Sequence, residues 1–424
     1  MTDPRPGAGS DANAAGVPRA GPASVAATGE DHVAGAGPTD GPGRGAGTFS
    51  APRFRDAAPF WLSLLMLPLA ALGLFYGGWF VVLLPLYGWW LFTLLDALFG
   101  VNVNNADPDT PEASLFWHRL ITMIWPPLQF GLIFGSIWWV TRSGQLGWIE
   151  LSVLFFGIGS ASGTVGIVYA HELMHQKNRL ERRLADLLLA MVLYSHFRSE
   201  HLLVHHRHVG TPADAVTARY NEGFHHYFWR VLFECPRSAW RAEVAMLARR
   251  GRGAFHPNNP FWRYAALQLA MLVLAWLIGG GLGLALFGWQ ALVAVWQLEL
   301  TNYVEHYGLT REHLGEGRYE HVKPHHSWNA AHTASNWLLI NLQRHSDHHY
   351  KPDRRFPLLQ NWGDEAAPQL PFGYPLMATV AMVPPLWRRR MNPRVRAWRK
   401  RYYPHIKDWS AYKAASNPRP RGSV

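Results

Sequence analysis

The sequence predicts an all-α integral membrane protein, with six transmembrane helices and histidine-rich polar segments gathered on one face. Three observations predict it: apolar residues that segregate into blocks, turn residues between those blocks, and Lys and Arg concentrated in the connections on one side. Apolar residue types make up 49% of the 424 residues, which is ordinary for a soluble protein, so their segregation and not their number carries the reading.

Six apolar stretches, about 59–75, 76–99, 117–140, 146–170, 262–286 and 287–304, approach the roughly 20 residues that cross a bilayer as a helix. Turns are expected at Tyr76-Gly77-Gly78, at Thr141-Arg142-Ser143-Gly144 and at Phe287-Gly288. An even number of spans leaves both ends of the chain on one side. The long segments 171–261 and 305–424 then share that side and hold most of the Lys and Arg, while the opposite connections hold only Arg142. This bias places both segments in the cytoplasm.

Residues 1–50 are dominated by Gly, Ala, Pro, Ser and Asp with almost no large apolar side chain, and are expected to form a disordered N-terminal tail. The membrane domain is expected over 51–395, followed by a basic C-terminal tail over 396–424. No cleavable secretory signal is expected at the start. The formal charge of +11 is attributed to basic residues flanking the spans, so no nucleic-acid partner is expected. A single cysteine, Cys235, excludes an internal disulfide and a Cys-ligated iron–sulfur cluster.

Of 22 histidines, most follow the fourth and sixth spans. HELMHQK at 171–177 puts His171 and His175 one helical turn apart, on one face. EHLLVHHRH at 200–208 adds His201, His205 and His206; NYVEHYGL at 302–309 adds His306; LQRHSDHH at 342–349 adds His345, His348 and His349. Nine imidazoles exceed what one metal coordinates, and imidazole suits Zn, Cu, Fe and Ni. Two metal ions sharing the set account for it. His32, His118, His256 and His405 read as ordinary surface or core residues, and His208, His225, His226, His313, His321 and His325 as surface residues or as weaker candidates to support the metal ligands.

HELMH also fits the HExxH pattern of zinc hydrolases, with Glu172 as general base. Such an enzyme needs one further ligand and a water, which leaves the other clustered histidines without a role. Glu172, Glu200, Asp214, Glu305 and Asp347 are candidates to orient imidazole rings by accepting their second N–H. His326 and His332 are further candidates to lie near the metals.

The four motifs, with RYEHVKPHHSWN at 318–329 between the last two, resemble those of the membrane-bound alkane 1-monooxygenases, relatives of the integral-membrane desaturases and hydroxylases. The resemblance runs from about residue 55 to 395. It implies a non-haem di-iron centre ligated by His171, His175, His201, His205, His206, His306, His345, His348 and His349. It also implies hydroxylation of an alkane with O2 and two electrons from a rubredoxin served by a rubredoxin reductase, in a bacterial-type inner membrane with the site on the cytoplasmic side. A desaturase and an aryl-methyl hydroxylase are the related alternatives. Val204 stands where the family pattern usually has Gly, and ARYNEGFHHYFWR at 218–230 is less typical, so the departures bear on the substrate. Trp79, Phe80, Trp89, Trp90 and Phe92 of the second span are candidates to limit the length of an alkyl chain.

Overall fold

The computed structural model describes residues 51–409; the tail expected at 1–50 and the last part of the basic tail lie outside the described residues. Every regular element among the described residues is helical, apart from three isolated β-bridges. Among the described residues, five helices are long and apolar enough to cross a membrane. They are α1 (Phe54–Tyr76), α2 (Gly78–Phe99), α3 (Glu112–Ser143), α4 (Trp148–His175) and α8 (Pro260–His306).

The 47-residue α8 is two spans joined by a reversal. Gly280 takes φ 56° and ψ −145°, outside helical space. A Cβ built on Gly283 would stand 2.5 Å from the carbonyl oxygen of Ala275, whereas residues eight apart on a straight helix are separated by about 12 Å. The chain therefore turns at Gly280 and not at Phe287-Gly288, as the sequence suggested. The run Gly279-Gly280-Gly281 supplies the positive φ that a side chain would resist, while Phe287 is fully buried and stacks on Phe134. The other two expected turns hold, with Gly77, Gly78 and Gly144 all at positive φ.

Between α4 and α8 lie α5 (Arg179–Met191), α6 (197–208) and α7 (Phe224–Ala248). After α8 come α9 (Thr333–Leu338), α10 (His345–Tyr350), α11 (Tyr374–Ala381) and α12 (Pro384–Tyr402). Helix α12 continues through the boundary expected at 395/396, because Val395 and Trp398 on it are buried.

The packing that positions the site is between α4 and the second arm of α8. A Cβ on Gly159 would lie 2.6 Å from the carbonyl oxygen of Gln290, and one on Gly163 would lie 2.9 Å from that of Ala294. Backbones approach this closely only where side chains are missing. The two helices consequently end side by side, one at His175 and the other at His306.

Candidate metal centre

The nine histidines expected to bind metal converge from α4, α6, α8 and α10. His171, His175, His201 and His348 have their donor atoms within 4.8 Å of one another, and so do His205, His306, His345 and His349. His206 lies between the two groups. Its Nε2 is 2.9 Å from that of His201 and 3.1 Å from that of His348, and its ring centroid is 4.8 Å from that of His349.

Local geometry explains how one short helix serves both groups. In an α-helix, residues five apart face different directions, but His201–His205 is a π-turn in which the backbone N–H of His206 bonds the carbonyl of His201. That wider turn brings His206 edge-on to His201, with ring centroids 4.5 Å apart, and turns His205 toward His306, with ring centroids 4.7 Å apart. In α10 the neighbours His348 and His349 diverge, His348 to the first group and His349 to the second.

Donor nitrogens meet where a metal would hold them. The Nε2 atoms of His171 and His201 are 2.9 Å apart, and those of His345 are 3.1 Å from both His306 and His349. Two nitrogens each about 2.1 Å from one ion, at right angles, stand about 3.0 Å apart. Burial first, and neighbouring imidazoles second, hold His201, His206, His345, His348 and His349 well below the usual imidazole pKa. They are neutral, the form in which imidazole binds metal.

The surrounding charge points the same way. Glu200, Asp214, Glu299 and Glu305 are all buried. Asp214 Oδ2 is 3.0 Å from His205 Nδ1 and accepts from Thr217, while Glu305 lies 3.3 Å from His345 Nδ1. Glu299 accepts from Tyr194, Asn302 and Tyr227. Neither oxygen of Glu200 has a hydrogen-bond partner, and burial, with Asp214 and Glu299 nearby, pushes its pKa well up. Among the described residues none of the four pairs with Lys or Arg. Ionised, these four carboxylates beside neutral imidazoles would carry a negative charge that two divalent ions would balance.

Other candidates turn elsewhere. Glu172 accepts from Gln176 and faces Arg355 at 3.7 Å, so it is engaged away from the histidines. Asp347 takes both contacts of the Arg354 guanidinium, at 2.7 and 2.6 Å, and the backbone N–H of Gln360. His332 faces Asp96. His326 joins Glu320 and His325 in a third cluster, but its Nδ1 accepts from the Lys323 backbone, leaving a protonated Nε2 2.7 Å from the Tyr403 hydroxyl, and Lys323 Nζ holds Glu320 at 2.7 Å. The cluster is a hydrogen-bonded clasp on the end of α12. Two residues expected at the surface are covered instead, His208 being buried and His325 stacked on Tyr402.

Glu299 was missed in the sequence, although a carboxylate inside an apolar span is itself a signal of function. An apolar cavity walled by Ile167, Val168, Phe197, Leu298, Leu339 and Leu342 opens onto His171 and His201 of one group and His345 of the other. Gln297, bonded to Thr164, lines the same cavity and accepts from the indole of Trp89. Of the five aromatic residues singled out on α2, Trp89 and Phe92 are buried, whereas Trp79, Phe80 and Trp90 are exposed.

Residues 146–381 match the family model described as fatty acid desaturase. The chain is 38% identical over 356 residues to alkane 1-monooxygenase 2 of Pseudomonas aeruginosa, covering 76% of this chain and 92% of that one. It is 37% identical over 325 residues to the alkane 1-monooxygenase of Pseudomonas putida, covering 76% and 79%. A more distant relative, at 26% identity over 337 residues, is the hydroxylase component of a Pseudomonas putida xylene/toluene monooxygenase, covering 78% and 87%. With apolar spans, paired imidazole groups and this extent of identity, the chain belongs to the fatty acid desaturase family and, within it, to the membrane alkane 1-monooxygenases.

Proposed function

We propose that this chain hydroxylates the terminal methyl of n-alkanes or related alkyl groups, with O2, at two non-haem irons. The observation that carries the reading is one apolar cavity opening onto both imidazole groups. The balance is RH + O2 + two electrons + two protons giving ROH + H2O. Iron supplies the O2 chemistry that an unactivated C–H bond requires and that redox-inert zinc lacks.

His171, His175, His201 and His348 hold one ion; His205, His306, His345 and His349 hold the other; His206, between them, completes the nine. Asp214 accepts the Nδ1 proton of His205 and so leaves its Nε2 lone pair for the metal. Glu305 lies 3.3 Å from His345 Nδ1 without a hydrogen bond between them. An alkane has no polar handle, so it would have to widen this cavity of about 30 Å³ and be held by burial against its walls, worth about 0.8 kcal/mol per methylene. Engagement of Glu172 by Gln176 and Arg355 speaks against its use as the general base of a zinc hydrolase.

Cys235 alone provides no cluster in the chain, so two electrons come from outside it; the family resemblance implies a rubredoxin and its reductase as their source. The asymmetry of Lys and Arg supports an inner-membrane location with the site on the cytoplasmic side. The test is purified protein with rubredoxin, its reductase, 18O2 and, separately, octane, dodecane and a xylene. One labelled oxygen in a terminal alcohol, with about two irons bound per chain, is the expected result. An alkene product, unlabelled alcohol, or active protein holding only zinc overturns the reading.

A further inference from the structure

The position of His348 depends on a short helix. It is the one member of its group carried by α10, whereas His171 and His175 come from α4 and His201 from α6. The same six-residue α10 sends His345 and His349 to the other group. How α10 sits against α4 therefore decides whether the first group closes.

We propose that Arg355 is a positioning residue that sets how His348 meets His171 and His175, by clasping the segment after α10 onto α4 and α5. The proposal rests on the reading of these histidines as metal ligands. Arg355 is 8% exposed and reaches three elements. Its Nη1 and Nη2 donate to both oxygens of Glu181 on α5, at 2.7 and 3.1 Å, and its Nε donates to Glu112 at the start of α3, at 3.1 Å. Nη1 also faces Glu172, the residue after His171, at 3.7 Å.

The clasp is reinforced on both sides. Arg119 donates to Glu181 at 2.7 Å, fixing the carboxylate that Arg355 grips. Arg354, the preceding residue, holds Asp347 in α10 through two contacts. Successive arginines thus reach in opposite directions, one back into α10 and one across to α4 and α5. His171 and His348 are held with ring centroids 4.3 Å apart, and His175 and His348 4.8 Å apart. A planar guanidinium fork defines such a geometry, and a flexible ammonium does not.

The test is iron content, iron release to a chelator and 57Fe Mössbauer spectra of the full-length chain, compared with R355Q, R355K and E172Q. Loss of the clasp is expected to speed release from one of the two irons by about 10–100-fold, the scale seen when groups supporting a ligand are removed. One iron component of the spectrum should shift or vanish and the other persist. R355K and E172Q should fall between R355Q and the parent, and R355K carries the comparison if R355Q does not fold. E234Q, altering an exposed carboxylate of α7 that faces Arg230, should leave release unchanged. Unaltered release and spectra in R355K and E172Q overturn the proposal, as does parallel loss of both irons. A parent protein that never holds two irons overturns instead the metal reading beneath it.

Discussion

Helices α1 and α4 are both apolar enough to span a membrane, but the protein buries 33% of the apolar window of one and 83% of the other. Hydropathy does not distinguish a helix surrounded by lipid from one surrounded by protein, since both environments are apolar. Small residues do. Helix α4 carries Gly157, Gly159, Gly163 and Gly166, and a Cβ at each would collide with α2, α3 or α8. Helix α1 presents Leu65, Phe75 and Tyr76 outward. The buried helix carries metal-site histidines, and the peripheral one carries none.

The contrast is most sharply tested at the histidines that α4 meets. H348A should abolish hydroxylation and empty the first group, with bound iron falling by about one per chain, and H345A should do the same to the second. Surviving activity in either variant would show that the two groups are not the site.

Packing gives the next largest difference. G159V pushes a side chain against the backbone of α8 and should destabilise the protein by about 1–3 kcal/mol or more. L65A, on the exposed face of α1, should stay within about 0.5 kcal/mol. Thermal unfolding in one detergent measures both, and equal losses would break the distinction between the helices.

Within α2 the contrast recurs between two tryptophans. Trp89 is buried, stacks on Trp296 and bonds Gln297 of the cavity wall, whereas Trp79 is 87% exposed. W89A should extend the accepted range to longer n-alkanes at unchanged iron content, each added buried methylene being worth about 0.8 kcal/mol. W79A should leave the profile as it was. Identical profiles in the parent and both variants would move the limiting wall to another helix.

The smallest effect concerns acid. Burial lowers His196 and His208 to a pKa of about 4 and His325 to about 3, from an ordinary 6.5. Below about 6.5 the unfolded chain therefore takes up protons that the folded chain refuses, so stability should fall as pH drops toward 4. H208N should flatten that slope, and a slope unchanged in this variant would mean that His208 titrates normally in the fold.

Local spacing determined a great deal. Blocks of apolar residues gave the spans, and the four histidine motifs named all nine converging imidazoles, because a helix or a turn places residues that are close in sequence. Asp214 and Glu305 were legible for the same reason, each lying within nine residues of a motif histidine. Only the tertiary structure decided which histidine joins which group, since that depends on a π-turn in α6 and on the placement of α10 against α4. It also moved the reversal of α8 to Gly280, and turned Glu172 toward Arg355, 183 residues away. Side-chain direction and partner choice between distant segments are set by packing, and no periodicity along one chain encodes them.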